Sequence, residues 1–194
     1  MDLVTLGRTL GFSFAAGVNL YATVAILGLA ARYDWVALPG QFQTFNHPVV
    51  IGAAIVMYLI EFFADKIPYV DSLWDLIHTA IRPVGGALVA VATLGEASTP
   101  VEGLVALLGG TVAAGSHLTK TSTRAVANAS PEPVSNWILS FGEDLFVVGL
   151  AYLALQHPIA ALVMAAILIA LILAFAAVII RTVRRWFARR LAPA

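Results

Sequence analysis

A chain of 194 residues that is 60% hydrophobic, 11% charged and without net charge has a mean hydropathy of +0.90, well outside the soluble globular range. It contains no cysteine, which excludes disulfide frameworks, thiolate catalysis and cysteine-held metals. No Walker motif, dinucleotide fingerprint, zincin signature or nucleic-acid-binding pattern occurs, so no cofactor and no nucleic-acid partner is expected.

The composition predicts an all-α, polytopic membrane protein with about six spans and interrupted or re-entrant helices. In chain order the predicted spans are about 10–31, 48–64, 76–95, 102–119, 136–155 and 158–180, divided by proline-containing breakers. Residues 1–180 form one transmembrane domain and 181–194 a basic tail. The first span follows a single early arginine, Arg8, and is too long for a signal-peptide core, so it reads as uncleaved. The third span has only about 12 apolar residues after Pro83, or roughly 18 Å. It can cross only if the 69–82 segment continues it with a bend at Pro83, or if that segment dips in and returns. The alternative is that 69–82 lies as an interfacial helix. Asn19 adds an uncharged polar group to the first span, and the last span is apolar from Pro158 to Ile180.

Basic residues set the orientation. With six spans, Arg8, Lys66, Arg82, Lys120, Arg124 and the arginines at 181, 184, 185, 189 and 190 share one side, and only Arg32 lies opposite. Both termini are therefore expected in the cytoplasm, with the outer loops near Asp34 and Glu96.

The charges sit where an apolar chain should not keep them. At helical spacing, Asp71, Asp75, His78 and Arg82 share one face, as do Asn136, Ser140 and Glu143 or Asp144, then His117, Lys120 and Arg124, then Glu61 and Asp65. Intramembrane ionisable groups cost several kcal/mol, so they face a bundle interior, pair, or mark a pathway. The competing reading puts Asp65, Lys66, Asp71 and Asp75 in a solvated loop. His47 and His157, each before a proline, are expected to cap helix starts. Glu143 continues the Asn136–Ser140 stripe and is expected to face the polar interior, with Asp144 paired to Arg82, Lys120 or Arg124.

A faint repeat lays Pro68-Tyr-Val-Asp-Ser-Leu-Trp74 over Pro131-Glu-Pro-Val-Ser-Asn-Trp137, and repeated interrupted helices point to transporter binding sites. Gly85-Gly86 and Gly109-Gly110 with Ala113, Ala114 and Gly115 make helix faces for close packing, which can also join copies of the chain. The basic tail can hold anionic lipid at about 1 kcal/mol per residue.

These features suggest a small transporter or permease moving an ion, or an anionic solute or lipid, with proton or cation coupling. The fourteen candidate site residues are Asn19, Glu61, Asp65, Asp71, Asp75, His78, Arg82, His117, Lys120, Arg124, Asn136, Ser140, Glu143 and Asp144. Two alternatives remain open: a metal-assisted hydrolase of lipid phosphates using Glu61, Asp65, Asp71, Asp75 and His78, and a non-catalytic subunit with internal ion pairs.

The runs Gly17-Val-Asn-Leu-Tyr-Ala-Thr23, Glu61-Phe-Phe-Ala-Asp-Lys-Ile-Pro68, Val70-Asp-Ser-Leu-Trp-Asp75, Ile81-Arg-Pro83, Ser116-His-Leu-Thr-Lys120 and Ser130-Pro-Glu-Pro-Val-Ser-Asn136 together resemble a bacterial inner-membrane family known as domain of unknown function 4126. The resemblance spans residues 11–160 in order. It implies a small multi-pass protein of the bacterial inner membrane and carries no catalytic assignment.

Overall fold

The computed structural model describes residues 1–128 and 133–191. The elements in chain order are α1 (Leu3–Val18), α2 (Leu20–Arg32), a short 3-10 helix (Gly40–Phe45), α3 (Pro48–Ala64), α4 (Pro68–Leu94), α5 (Thr99–Asn128), α6 (Pro133–Gln156) and α7 (Pro158–Leu191). Helices α3, α4, α6 and α7 each begin on proline, where the missing N–H is no loss and φ is already helical. His47 caps α3, its Nδ1 accepting from the Val49 amide at 3.3 Å. His157 instead donates its own amide to Leu153 O at 2.7 Å, closing α6 just before α7.

The predicted first span is two helices. Asn19 is extended, at φ −148° and ψ 100°; its side chain caps α2 by accepting from the Ala22 amide, and its amide donates back to Ala15 O. An Asn at such a position satisfies one donor of the helix it starts. The chain turns back there. Thr9 meets Thr93 at 3.3 Å and Gly17 O meets Arg82 halfway along α4. Beyond the turn, Gly28 packs on Phe45 and Ile51, while Phe42 packs on Phe12. Thus α1 and α2 form a hairpin whose tip stands in the middle of the bundle, with both outer ends at one end of it.

The same contacts order the rest. Gly7 lies against Pro158, and Gly11 against Ala154 and Ala161, so the start of α1 sits beside the α6–α7 junction. At the other end, Phe175, Ala176 and Ile179 of α7 lie beside Val126 and Leu139. The chain's start and the arginines beyond Ile180 are therefore at opposite ends of the bundle. Residues 10–31, expected as one span, do not run through in one direction.

Among the described residues four helices are long and apolar enough to cross a membrane, Tyr69–Leu94, Thr99–Asn128, Val134–Gln156 and Pro158–Trp186; α1, α2 and α3 are apolar but shorter. The outer faces are apolar, with Leu73, Leu104, Leu145, Leu171 and Phe175 all more than half exposed. The interior holds the buried polar groups beside an apolar core around Phe12, Phe42 and Leu150.

Helix α4 runs unbroken through Pro83, so the segments expected to be separated there are one helix of 27 residues, about 40 Å at 1.5 Å per residue. Proline removes a backbone bond, but close packing holds both halves of α4. A Cβ on Gly110 would lie 3.0 Å from Pro83 O, and one on Gly86 would overlap Ala113. The small-residue faces of α4 and α5 are thus spent within the chain, while Gly115 has open space beside it. Residues 69–82 are part of that continuous α4, so they form no separate dip or interfacial helix. Residues 129–132, which include the first two residues of the Pro131–Trp137 half of the predicted repeat, lie outside the described residues.

Candidate functional site

All fourteen candidate residues converge in the half of the bundle between the hairpin tip and the α7 tail. Glu61 and Arg82 are fully buried, Asp65 is 3% exposed and Asp75 4%, which removes the solvated-loop reading for Asp65, Asp71 and Asp75. The end of α3, the first four turns of α4, the second half of α5 and the first half of α6 each contribute one stripe.

Arg82 is the centre. Its Nη2 donates to Glu61 Oε1 at 2.6 Å, and its Nη1 to His117 Nδ1 at 2.8 Å and to Gly17 O at 3.3 Å. The last carbonyl end of α1, the negative end of that helix, is therefore met by a cation. A guanidinium only donates, so His117 Nδ1 accepts and its proton sits on Nε2, which faces Asp75 O at 3.2 Å and Thr79 Oγ1 at 3.1 Å. His78 has the other tautomer. Its Nδ1 donates to Trp74 O at 2.7 Å, and Nε2 accepts from Tyr21 Oη at 2.9 Å. The His117 imidazole is neutral in this bonding pattern.

Lys120 reaches three carboxylates, Asp65 at 3.0 Å, Glu61 at 3.3 Å and Glu143 at 3.4 Å. Arg124 grips Glu143 with Nη2 at 2.6 Å and Nε at 3.1 Å, and donates to Asp65 Oδ2 at 3.1 Å and Asn136 Oδ1 at 3.1 Å. In the turn between α3 and α4, Lys66 sits 3.1 Å over the Phe62 ring and donates to Ser140 Oγ at 3.3 Å. Its burial holds the ammonium below the ordinary lysine pKa.

Asp144 differs from the role its position suggested. It lies beside the hairpin tip, where Asn19 Nδ2 donates to its Oδ1 at 3.4 Å, and its Oδ2 is buried without a hydrogen-bond partner. The ion pair expected of Asp144 is made by Glu143. Glu143 keeps the stripe it was expected to continue, since it and Asn136 both meet Arg124.

Aligning α4 and α6 by their first residues, Pro68 and Pro133, lays Asp71 on Asn136, Asp75 on Ser140 and His78 on Glu143. Each pair then occupies the same step of its polar stripe.

Sequence reasoning missed Tyr21, Thr79 and Asn128. Extending the His117–Lys120–Arg124 stripe by one turn reaches Asn128, which donates to Asp71 Oδ2 at 2.8 Å. Tyr21 and Thr79 carried no signal beyond adjacency to Asn19 and His78.

The cluster holds six carboxylates (Glu61, Asp65, Asp71, Asp75, Glu143, Asp144) against four cations (Lys66, Arg82, Lys120, Arg124). Unsatisfied buried atoms fall mainly on the acids: Glu61 Oε2, Asp65 Oδ1, Asp71 Oδ1, Asp75 Oδ1 and Asp144 Oδ2, with Arg82 Nε the one cationic atom of the cluster among them. Among the described residues no three His, Asp or Glu side chains gather as a metal ion requires.

A family model described as Domain of unknown function (DUF4126) matches residues 6–178. No curated protein matches the chain, and no solved structure does.

Proposed function

The chain belongs to the DUF4126 family, and we propose from the charges in its interior that it is a small membrane transporter coupled to protons. The observation that carries this reading is that five acids of the cluster keep a buried oxygen without a hydrogen-bond partner, while among its cations only Arg82 Nε lacks one. Arg82, Lys120 and Arg124 spend their donors on internal carboxylates and carbonyls, which leaves little to hold an anionic solute. What the interior lacks is positive charge. Without a compact metal-holding group, the simplest species to supply it is the proton, because a buried carboxylate without a partner is stabilised by neutralisation.

The hairpin tip supplies the place. Interrupted helices put both helix ends at a mid-membrane site, a recurring arrangement in transporters. Here the α1 end meets Arg82, and the Asn19 cap of α2 meets Asp144. Asp144 is the proton site of this reading, replacing Glu143 in that role. A hydrolase using Glu61, Asp65, Asp71, Asp75 and His78 is less well supported, because these groups are divided among ion pairs rather than focused on one point.

The proposed orientation follows the basic residues. The end bearing Lys66 and the α7 arginines faces the cytoplasm of a bacterial inner membrane, α1 and α2 enter as a re-entrant hairpin from outside, and α3–α7 cross. Arg181, Arg184 and Arg185, all exposed, lie at the inner headgroups, where they attract anionic lipid. The side chains of Arg189 and Arg190 lie outside the described residues.

The test is proton flux in vesicles. Reconstituted protein with a pH-sensitive dye inside should collapse an imposed pH gradient, and Asp144→Asn should abolish this while the protein remains folded. Equal flux in wild-type and empty vesicles defeats the proposal.

A further inference from the structure

A cleft of about 240 Å³ opens between α4 and α5 at the end that carries the α7 arginines; Asp71, Asp75, Thr79, Thr121 and Arg124 line it. At about 30 Å³ per water it has room for roughly eight molecules. Most of its wall groups are already engaged. Asp71 accepts from Asn128 at 2.8 Å, Thr79 Oγ1 donates to Asp75 O at 2.9 Å, and Arg124 is bound to Glu143 and Asp65.

Asp75 is the exception. It is 4% exposed, its Oδ1 has no hydrogen-bond partner, and its ion pair is a loose 3.6 Å contact with Arg82 Nη1. A carboxylate in this position lines a polar cavity and lacks the donor that would hold its charge.

We infer that this cleft is a hydrated vestibule and that Asp75 is the first interior group to take a proton from it. The proton of a hydronium in the cleft transfers to the Asp75 carboxylate, forming an O–H bond and leaving water behind. No other reactant is needed. The surrounding charges make the change consequential. From α4 itself Asp71, His78 and Arg82 face Asp75; from α5 His117, Lys120 and Arg124; from α3 Glu61 and Asp65. Its negative charge is opposed by Glu61, Asp65 and Asp71 and favoured by Arg82, Lys120 and Arg124. Neutral His117 takes no net side, since its Nε2–H already points to Asp75 O.

Protonating Asp75 removes one of the two carboxylates on Arg82 and leaves that guanidinium to Glu61. The vestibule is thereby linked to Gly17 at the hairpin tip through a single side chain, since Arg82 also donates to Gly17 O. The inference rests on the transporter reading only for where the proton goes next.

Two measurements on protein in lipid nanodiscs test it. Thr79→Cys places a thiol on the cleft of a chain without cysteine, and Thr93→Cys places one on the same helix at a position 1% exposed. Alkylation needs a hydrated thiolate, so Thr79→Cys should react at least about tenfold faster with a charged thiol reagent. Infrared difference spectra between acid and alkaline pH should show a carboxylic-acid C=O band that Asp75→Asn removes. Asp75→Glu, which keeps an acid, should shift that band, and this variant serves if Asp75→Asn does not fold. Equal reactivity of the two cysteines, or a band unchanged in both Asp75 variants, overturns the vestibule. If cysteine and infrared results hold but vesicles show no flux, the transporter reading falls and the vestibule stands.

Discussion

Glu143 and Arg124 form a two-point ion pair, Oε2 to Nη2 at 2.6 Å and Oε1 to Nε at 3.1 Å, while the adjacent Asp144 accepts from Asn19 Nδ2 at 3.4 Å. Neighbours on a helix point about 100° apart, and this pair divides its work accordingly. Glu143→Gln should strand buried Arg124 and weaken Lys120, with a stability loss toward the lower part of the about 3–5 kcal/mol typical of broken buried pairs. Asp144→Asn should unfold at nearly the wild-type denaturant concentration. A Glu143→Gln protein as stable as wild type, measured by chemical unfolding in detergent, contradicts the assignment.

The hairpin predicts an unusual labelling pattern. Leu3 and Ser98 are exposed and lie at the same end of the bundle, and Thr182 lies at the other. Cysteines at 3 and 98 should both react with an impermeant thiol reagent on intact cells, and a cysteine at 182 only after permeabilisation. Labelling at 98 without labelling at 3 would restore six full spans.

Glycines in α1 and α5 give opposite expectations. A Cβ on Gly17 would overlap the Ala113 carbonyl and Ser116 Oγ, and backbone cannot move aside as a side chain can. Gly17→Ala should therefore cost at least the about 1–3 kcal/mol of an overpacked core. Gly115 meets nothing within 4 Å, so Gly115→Ala should instead stabilise its helix by up to about 1 kcal/mol. Thermal unfolding of the two variants, compared side by side, decides.

Asp2, just ahead of α1, accepts from the Thr5 amide at 2.7 Å, and this bond holds its carboxyl below the usual carboxylate pKa. A depressed acid contributes stability above its unfolded pKa and loses it as pH falls through the folded one. Amide exchange at Thr5 should accelerate on acidification below the ordinary carboxylate range. In Asp2→Asn, which keeps an acceptor without a titrating charge, that acceleration should vanish.

Much of this interior was legible as spacing. The stripes Asp71–Asp75–His78–Arg82 and His117–Lys120–Arg124 needed only helical periodicity, and the structure brings them face to face. The errors arose where a local rule met a tertiary one. Pro83 reads as a break, yet the glycine-lined contact with α5 carries α4 through it. Asn19 reads as a polar residue in a span, yet its capping chemistry ends one helix and starts another. No proline or glycine run marks that reversal, so residues 10–31 look like one crossing. The pairing expected of Asp144 failed because that residue, about 100° round the helix from Glu143, meets the Asn19 cap instead of a cation.

The burial of α1 sets an order on biogenesis. Phe12, Ala15 and Ala16 are wholly enclosed, and the residues that enclose this helix belong to α4, α5, α6 and α7, as Gly86, Ala113, Phe146 and Pro158 show. Every one of those partners leaves the ribosome after α1 does. With 16 residues, or about 24 Å, α1 is short for a hydrocarbon core of about 30 Å. This helix must therefore wait for its partners at the membrane surface or in the insertion machinery. Its docking closes the assembly, and a ribosome stalled before α7 would leave Gly7 and Gly11 without the wall they pack against.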